Sequence, residues 1–63
     1  MIKVPKKVLH ELDVIRSSGE VNMLDVPAVI RFAERRSLKL AAAWVQDNKT
    51  LYWEGVVYGF QVE

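Results

Sequence analysis

Ile15-Arg16-Ser17-Ser18-Gly19-Glu20-Val21-Asn22-Met23-Leu24-Asp25-Val26-Pro27-Ala28 is the stretch whose reading decides the fold. Ser17-Ser18-Gly19 closes a helical pattern, because glycine enters the left-handed conformation at a helix end without steric cost. Asp25 can cap the next helix with its carboxylate. Pro27 is tolerated in a first turn, where amide hydrogens lack an intrahelical partner. Between them, Asn22 suits a turn that satisfies backbone groups through its side chain. Met23 and Leu24 are expected to plug the core under the connector, and Arg16 to bond carbonyls at its helix end or to pair with Asp25. Two helices joined by a short connector are therefore written into fourteen residues, and capping and turn chemistry account for each of them.

Outward from this stretch the helical pattern is clear, then blurs. Val4, Val8, Leu12 and Ile15, widened by Leu9, recur at helical spacing and predict an amphipathic helix from Pro5 to about Ser17. Lys7 and Glu11 lie one turn apart and can pair on its exposed side. A second helix is predicted from Val26 to Arg36, with Val26, Val29, Ile30 and Ala33 inward and Arg31, Glu34 and Arg35 elsewhere. A third runs from Leu40 to about Asp47, where Ala41-Ala42-Ala43 permits close approach of a neighbour and Trp44 and Val45 add bulk. Asn48-Lys49-Thr50 reads as a break with Thr50 as a cap. Leu51 to Phe60 supports two readings. Its aromatic and β-branched content suits a strand, with Glu54-Gly55 as a hairpin turn. As a helix it places Tyr52, Trp53, Val56, Val57 and Phe60 on one face, with Gly59 as the stop.

The chain has 63 residues, one small domain near the lower limit for a self-sufficient core. Cysteine is absent, so neither disulfides nor thiolate metal sites staple it. Hydrophobic residues nevertheless make up 51%. So short a chain has too much surface to hide them all, which favours self-association or an apolar patch offered to a partner. Net charge is +1, divided as +3 over residues 1–39 and −2 over residues 40–63, too mild to demand nucleic acid. No targeting segment is evident, and the longest apolar run, Leu40 to Val45, is far too short to span a bilayer. A cytoplasmic location, in a host cell, is the expectation.

The chain resembles a family of very short proteins of uncharacterised function, encoded mainly by bacteriophages and prophages. The resemblance rests on Ile15-Arg16-x-Ser18-Gly19-x-x-Asn22-Met23-x-Asp25-Val26-x-Ala28-Val29, then Arg31-x-Ala33, and runs on to Lys49-x-x-Tyr52 and Gly59. It covers roughly residues 4 to 59 and implies an all-helical protein, which tips the last segment towards helix. Three positions depart from the pattern. Pro27 stands where a polar residue is usual, Ser37 replaces a glycine, and Gly55 replaces a bulky apolar residue, so the last helix is expected to be weakened, bent or partly extended. The resemblance brings no catalytic residues.

The fold expected is all-α: a compact bundle of three to four short helices, residues 1–63 as one domain, self-associating as a homodimer. Chemistry is poorly supplied. His10 is the only histidine and lies among Lys6, Lys7 and Asp13 on a solvated face, without an orienting partner. No metal cluster, cofactor motif or phosphate loop is present, so no catalytic, cofactor or metal residue is named. Trp53, Tyr58, Phe60 and Tyr52 are the protein-interface candidates, since tryptophan and tyrosine supply large area with few rotors. Arg31, Arg35, Arg36 and Lys39 form a basic patch, which helix-end compensation also explains. The expected function is non-catalytic: a phage-type accessory protein that binds a host or phage protein and modulates or inhibits a host enzyme or defence factor. A small helix-turn-helix-like DNA-binding regulator is the alternative, and no membrane partner is expected.

Overall fold

Local chemistry ends the first helix as the sequence implies, with one addition. The computed structural model describes residues 1–63: β1 Ile2–Val4, α1 Lys6–Ser18, α2 Val26–Arg35, α3 Lys39–Asp47, α4 Lys49–Tyr58 and β2 Phe60–Val62. Gly19 is left-handed (φ 67°), and its N–H donates to Arg16 O. The Ser18 hydroxyl donates to Ile15 O at 2.6 Å and accepts from Glu20 N–H at 3.2 Å, relaying the bond that would otherwise close the helix end directly. Asn22 Oδ1 accepts Leu24 N–H, the expected side-chain turn, and Asp25 Oδ1 caps α2 through Ala28 N–H. Arg16 does not reach Asp25; it pairs with Asp13 at 2.9 Å on its own helix. Met23 packs on the core, whereas Leu24 is exposed and plugs nothing.

The end of α2 uses the same device under more strain. Leu38 N–H donates to Ala33 O and Ser37 N–H to Glu34 O, the double closure of a left-handed helix stop. Its left-handed residue is Ser37 (φ 58°), a side chain where glycine is usual. α3 follows after three residues, and its cap residue, Leu38, has no side-chain acceptor. Glu11 of α1 supplies one: its carboxylate accepts Ala41 N–H at 2.9 Å. Glu11 is thereby withdrawn from the expected pairing with Lys7, and α1 is locked to the start of α3.

The core comprises Val4, Val8, Leu12, Ile15, Val29, Phe32, Ala33, Ala41, Ala42, Val45 and Tyr52. Ala41 and Ala42 let α3 seat against α2 and α1, while Ala43 faces outward. The inward stripe of α2 differs from the expected one. Phe32 is buried, and Val26 and Ile30 are only half-buried, lining a surface hollow with Gln46 of α3 and Lys49 of α4.

The termini depart most from an all-helical reading. β1 and β2 form a parallel pair in the register Ile2↔Phe60, Lys3↔Gln61, Val4↔Val62. Pro5 disfavours a helical conformation at Val4, so Val4 is extended and buried in β1 instead of opening α1. The break expected at Asn48-Lys49-Thr50 is a single residue. Asn48 separates α3 from α4, its side-chain amide turns back to Trp44 O, and Thr50 lies inside the first turn instead of capping it. α4 then runs through Gly55, so the Glu54-Gly55 hairpin does not form. Gly59 (φ 106°), in a conformation that side chains rarely adopt, swings the chain into β2. The architecture is thus a four-helix bundle closed by a two-stranded parallel sheet, with the C-terminal segment first helical and then extended. No helix is long and apolar enough to cross a membrane.

Candidate functional site

α4 carries apolar residues on nearly every side, and packing sorts them. Tyr52 is fully buried, so it is withdrawn from the expected interface. Its hydroxyl donates to Met23 O at 2.6 Å, tying α4 to the connector after α1, and burial pushes its pKa up to about 12. Phe60 is half-buried: its ring fills the place where a side chain on Gly55 would be, tilted against Tyr52 and edge-on to Trp44. It too serves the fold first. Gly55 is thus the accommodation for Phe60, and α4 is neither broken nor bent there into a strand.

Trp53 (49% exposed) and Tyr58 (69%) remain on the surface, yet on different flanks. Five residues apart, they are separated by about 140° around the helix. Tyr58 stands with Leu51, near Met1, whose side chain lies over Gly59. Trp53 belongs to a stripe with Lys49 and Val57, each one turn from the next. Lys49 also lines a hollow of about 370 Å³ with Val26, Pro27, Ile30, Arg31 and Gln46. Gln46 is shared with a second hollow, of about 440 Å³, over Ala42 and Ala43, flanked by Glu34 and Lys39. The two make a shallow trough across α2 and α3 that leads onto the Trp53 stripe.

The basic patch divides in the same way. Arg36 pairs with Glu20 at 2.8 Å and stacks over Phe32, 4.7 Å from the ring centroid; Arg35 lies 5.9 Å from the same ring. These two cover the buried aromatic. Arg31 and Lys39 instead flank the trough. The two ion pairs of the molecule are Arg16–Asp13 and Arg36–Glu20, so Arg31, Lys39 and Lys49 have no carboxylate within 4.0 Å. Lys49 and Val57 are not among the site candidates of the sequence, although the helical reading already sets Val57 on a face with Trp53. Their spacing from Trp53 reveals them once residues 49–58 are known to be helical.

A further cleft, about 300 Å³, opens between α1 and α4, floored by Leu12, Met23 and Phe60 and rimmed by Asp13 and Arg16. His10 is exposed, and no group of three or more His, Asp or Glu side chains is arranged to hold a metal ion. On α3 the exposed positions are Lys39, Leu40, Ala43, Gln46 and Asp47.

Residues 4–59 match the family described as Domain of unknown function (DUF5049). The chain belongs to this family. Comparison with curated proteins and with solved structures returns no match. The DUF5049 match takes in all four helices and stops at Gly59. Trp53, Lys49 and Arg31 therefore lie inside it, and β2 with Phe60 lies beyond it.

Proposed function

We propose that this chain is a non-catalytic accessory protein of bacteriophage type that binds another protein through the Trp53 flank of α4 and modulates or inhibits it, the partner being a host enzyme or defence factor. The observation that carries this reading is the half-exposed Trp53 beside the half-exposed Val57 on a regular, well-anchored helix. Indole and isopropyl surface left in water on a rigid element is the kind of anchor around which interface binding energy concentrates. The Leu51–Tyr58 flank offers a second apolar surface and supports self-association as a homodimer.

Affinity capture from host lysate tests the reading, with wild type compared against Trp53→Ser and Tyr58→Ser. Loss of specific captured proteins with Trp53→Ser but not with Tyr58→Ser supports it. Identical captured sets from all three chains would sink it. Light scattering over a range of concentrations tests the dimer, and a strict monomer refutes it.

One observation favours a DNA-binding regulator: α2 and α3 are joined by three residues, as in a helix-turn-helix. The outward face of α3 argues against it: Lys39 and Gln46 suit phosphates or base edges, but Leu40 and Ala43 offer no hydrogen bond and Asp47 repels phosphate. Duplex DNA at low salt decides, because phosphate contacts weaken steeply as salt rises. Absence of binding there removes the alternative.

A further inference from the structure

The surface around Trp53 has a sign as well as an apolar character. Lys49 begins the Lys49–Trp53–Val57 stripe, and Arg31 stands beside Lys49 across a hollow floored by Val26, Pro27 and Ile30. Eighteen positions separate the two cations in the chain; α3, packed against both α2 and α4, brings them to one hollow that Gln46 also lines. Both are exposed, and neither has a carboxylate within ion-pairing distance. Elsewhere the arginines lie beside an aromatic ring or an acid: Arg36 on Glu20 and Phe32, Arg35 near Phe32, Arg16 on Asp13. The trough continues past Gln46 to Lys39, with Glu34 its one acidic wall.

We infer that the occupant of this surface is an acidic amphipathic helix of the partner protein, a deepening that rests on the protein-binding reading above. Its apolar side chains would lie on Trp53 and Val57 and enter the Val26–Pro27–Ile30 hollow, while carboxylates on its flank meet Arg31 and Lys49. An apolar face laid along a concave, apolar-floored surface is the common helix-in-groove mode of recognition. Unpaired cations at the rim add selectivity by sign and speed encounter with an acidic partner. Nucleic acid satisfies the cations equally but leaves the apolar floor and Val57 without a use.

The test lets the surface choose its own ligand. A displayed library of helical peptides, randomised at every outward position, is selected on the folded wild-type chain. Enrichment of Asp and Glu beside an apolar stripe is the expected result. Trp53→Ser should then weaken selected peptides by at least about thirty-fold. The double variant Arg31→Gln/Lys49→Gln should weaken them about three- to ten-fold, and raised salt should act in the same direction. Circular dichroism melts confirm that these surface variants stay folded. The inference is overturned if no Trp53-dependent helix is selected, if selected helices show no acidic excess, or if they bind the double variant undiminished. Arg31- and Lys49-dependent binding of duplex DNA, without selected helices, overturns it in favour of nucleic acid. Failure of the parent reading looks different, since lysate capture would then be indifferent to Trp53. Capture that needs Trp53, together with selected helices that lack acidic bias, would overturn this inference and leave the parent reading standing.

Discussion

Gly55→Ala should destabilise this protein although it sits inside a helix, where alanine is ordinarily the better residue by about 1 kcal/mol. The reason is Phe60. A methyl group on Gly55 would fall within its ring, so the ring must leave or α4 must move. Expulsion of the ring sets the upper limit on the cost. Full burial of a phenylalanine contributes about 1.5–3 kcal/mol, so half-burial puts about 1–1.5 kcal/mol at stake for Phe60. Its ring lies 6.0 Å from that of Tyr52 and 6.2 Å from that of Trp44. An aromatic pair adds about 0.5–1.5 kcal/mol, and the low end applies here because both separations lie towards the far end of the favourable range. Phe60 thus contributes about 2–2.5 kcal/mol in all. Set against the helix gain, the net loss from Gly55→Ala is at most about 1–1.5 kcal/mol. In a Phe60→Ala background the obstruction is gone, and the same substitution should stabilise by up to about 1 kcal/mol. Urea unfolding of the four chains, at one fixed protein concentration, measures this double-mutant cycle. The sign of the Gly55 effect must reverse, with a coupling of up to about 2–2.5 kcal/mol. If Gly55→Ala raises stability equally in both backgrounds, Phe60 does not occupy the space above Gly55 and the reasoning fails.

Three further substitutions probe the other unusual contacts. Ser37→Gly should stabilise by about 0.5–1 kcal/mol, since it relieves a left-handed side chain at some cost in backbone entropy; an unchanged urea midpoint would show that Ser37 is not strained. Glu11→Ala should cost about 1 kcal/mol, as for loss of a helix cap, and should speed hydrogen exchange at the Ala41 amide. An Ala41 amide equally protected in the variant would mean that the carboxylate does not cap α3. Tyr52→Phe leaves Met23 O without its donor. Loss of that bond should cost about 1–2 kcal/mol near neutral pH. Because the folded-state pKa of Tyr52 is raised from 10.0 to about 12, the folded chain keeps a proton that the unfolded chain loses. The resulting stabilisation is complete below the unfolded-state pKa and is lost as pH rises through the folded-state one, by about 2–3 kcal/mol in all. Wild type should therefore lose more stability than Tyr52→Phe over that interval; equal alkaline slopes would exclude a desolvated phenol.

The sequence by itself determined the elements whose physics is local. The left-handed stop at Gly19, the Asn22 turn, the Asp25 cap and the stripe Val8, Leu12 and Ile15 each depend on residues within a turn or two, so spacing and residue type sufficed. Only the tertiary structure decided which side of α4 faces inward, because its apolar residues run all the way round and periodicity cannot choose among them. Burial of Tyr52 chose, and that divided the aromatic set into core and two separate flanks. The β1–β2 pair, the seat of Phe60 over Gly55, the Glu11 cap on Ala41 and the meeting of Arg31 with Lys49 join residues between five and nearly sixty positions apart. No local pattern encodes these partners. They follow from how four short helices pack on one core, and the candidate binding surface comes into existence only then.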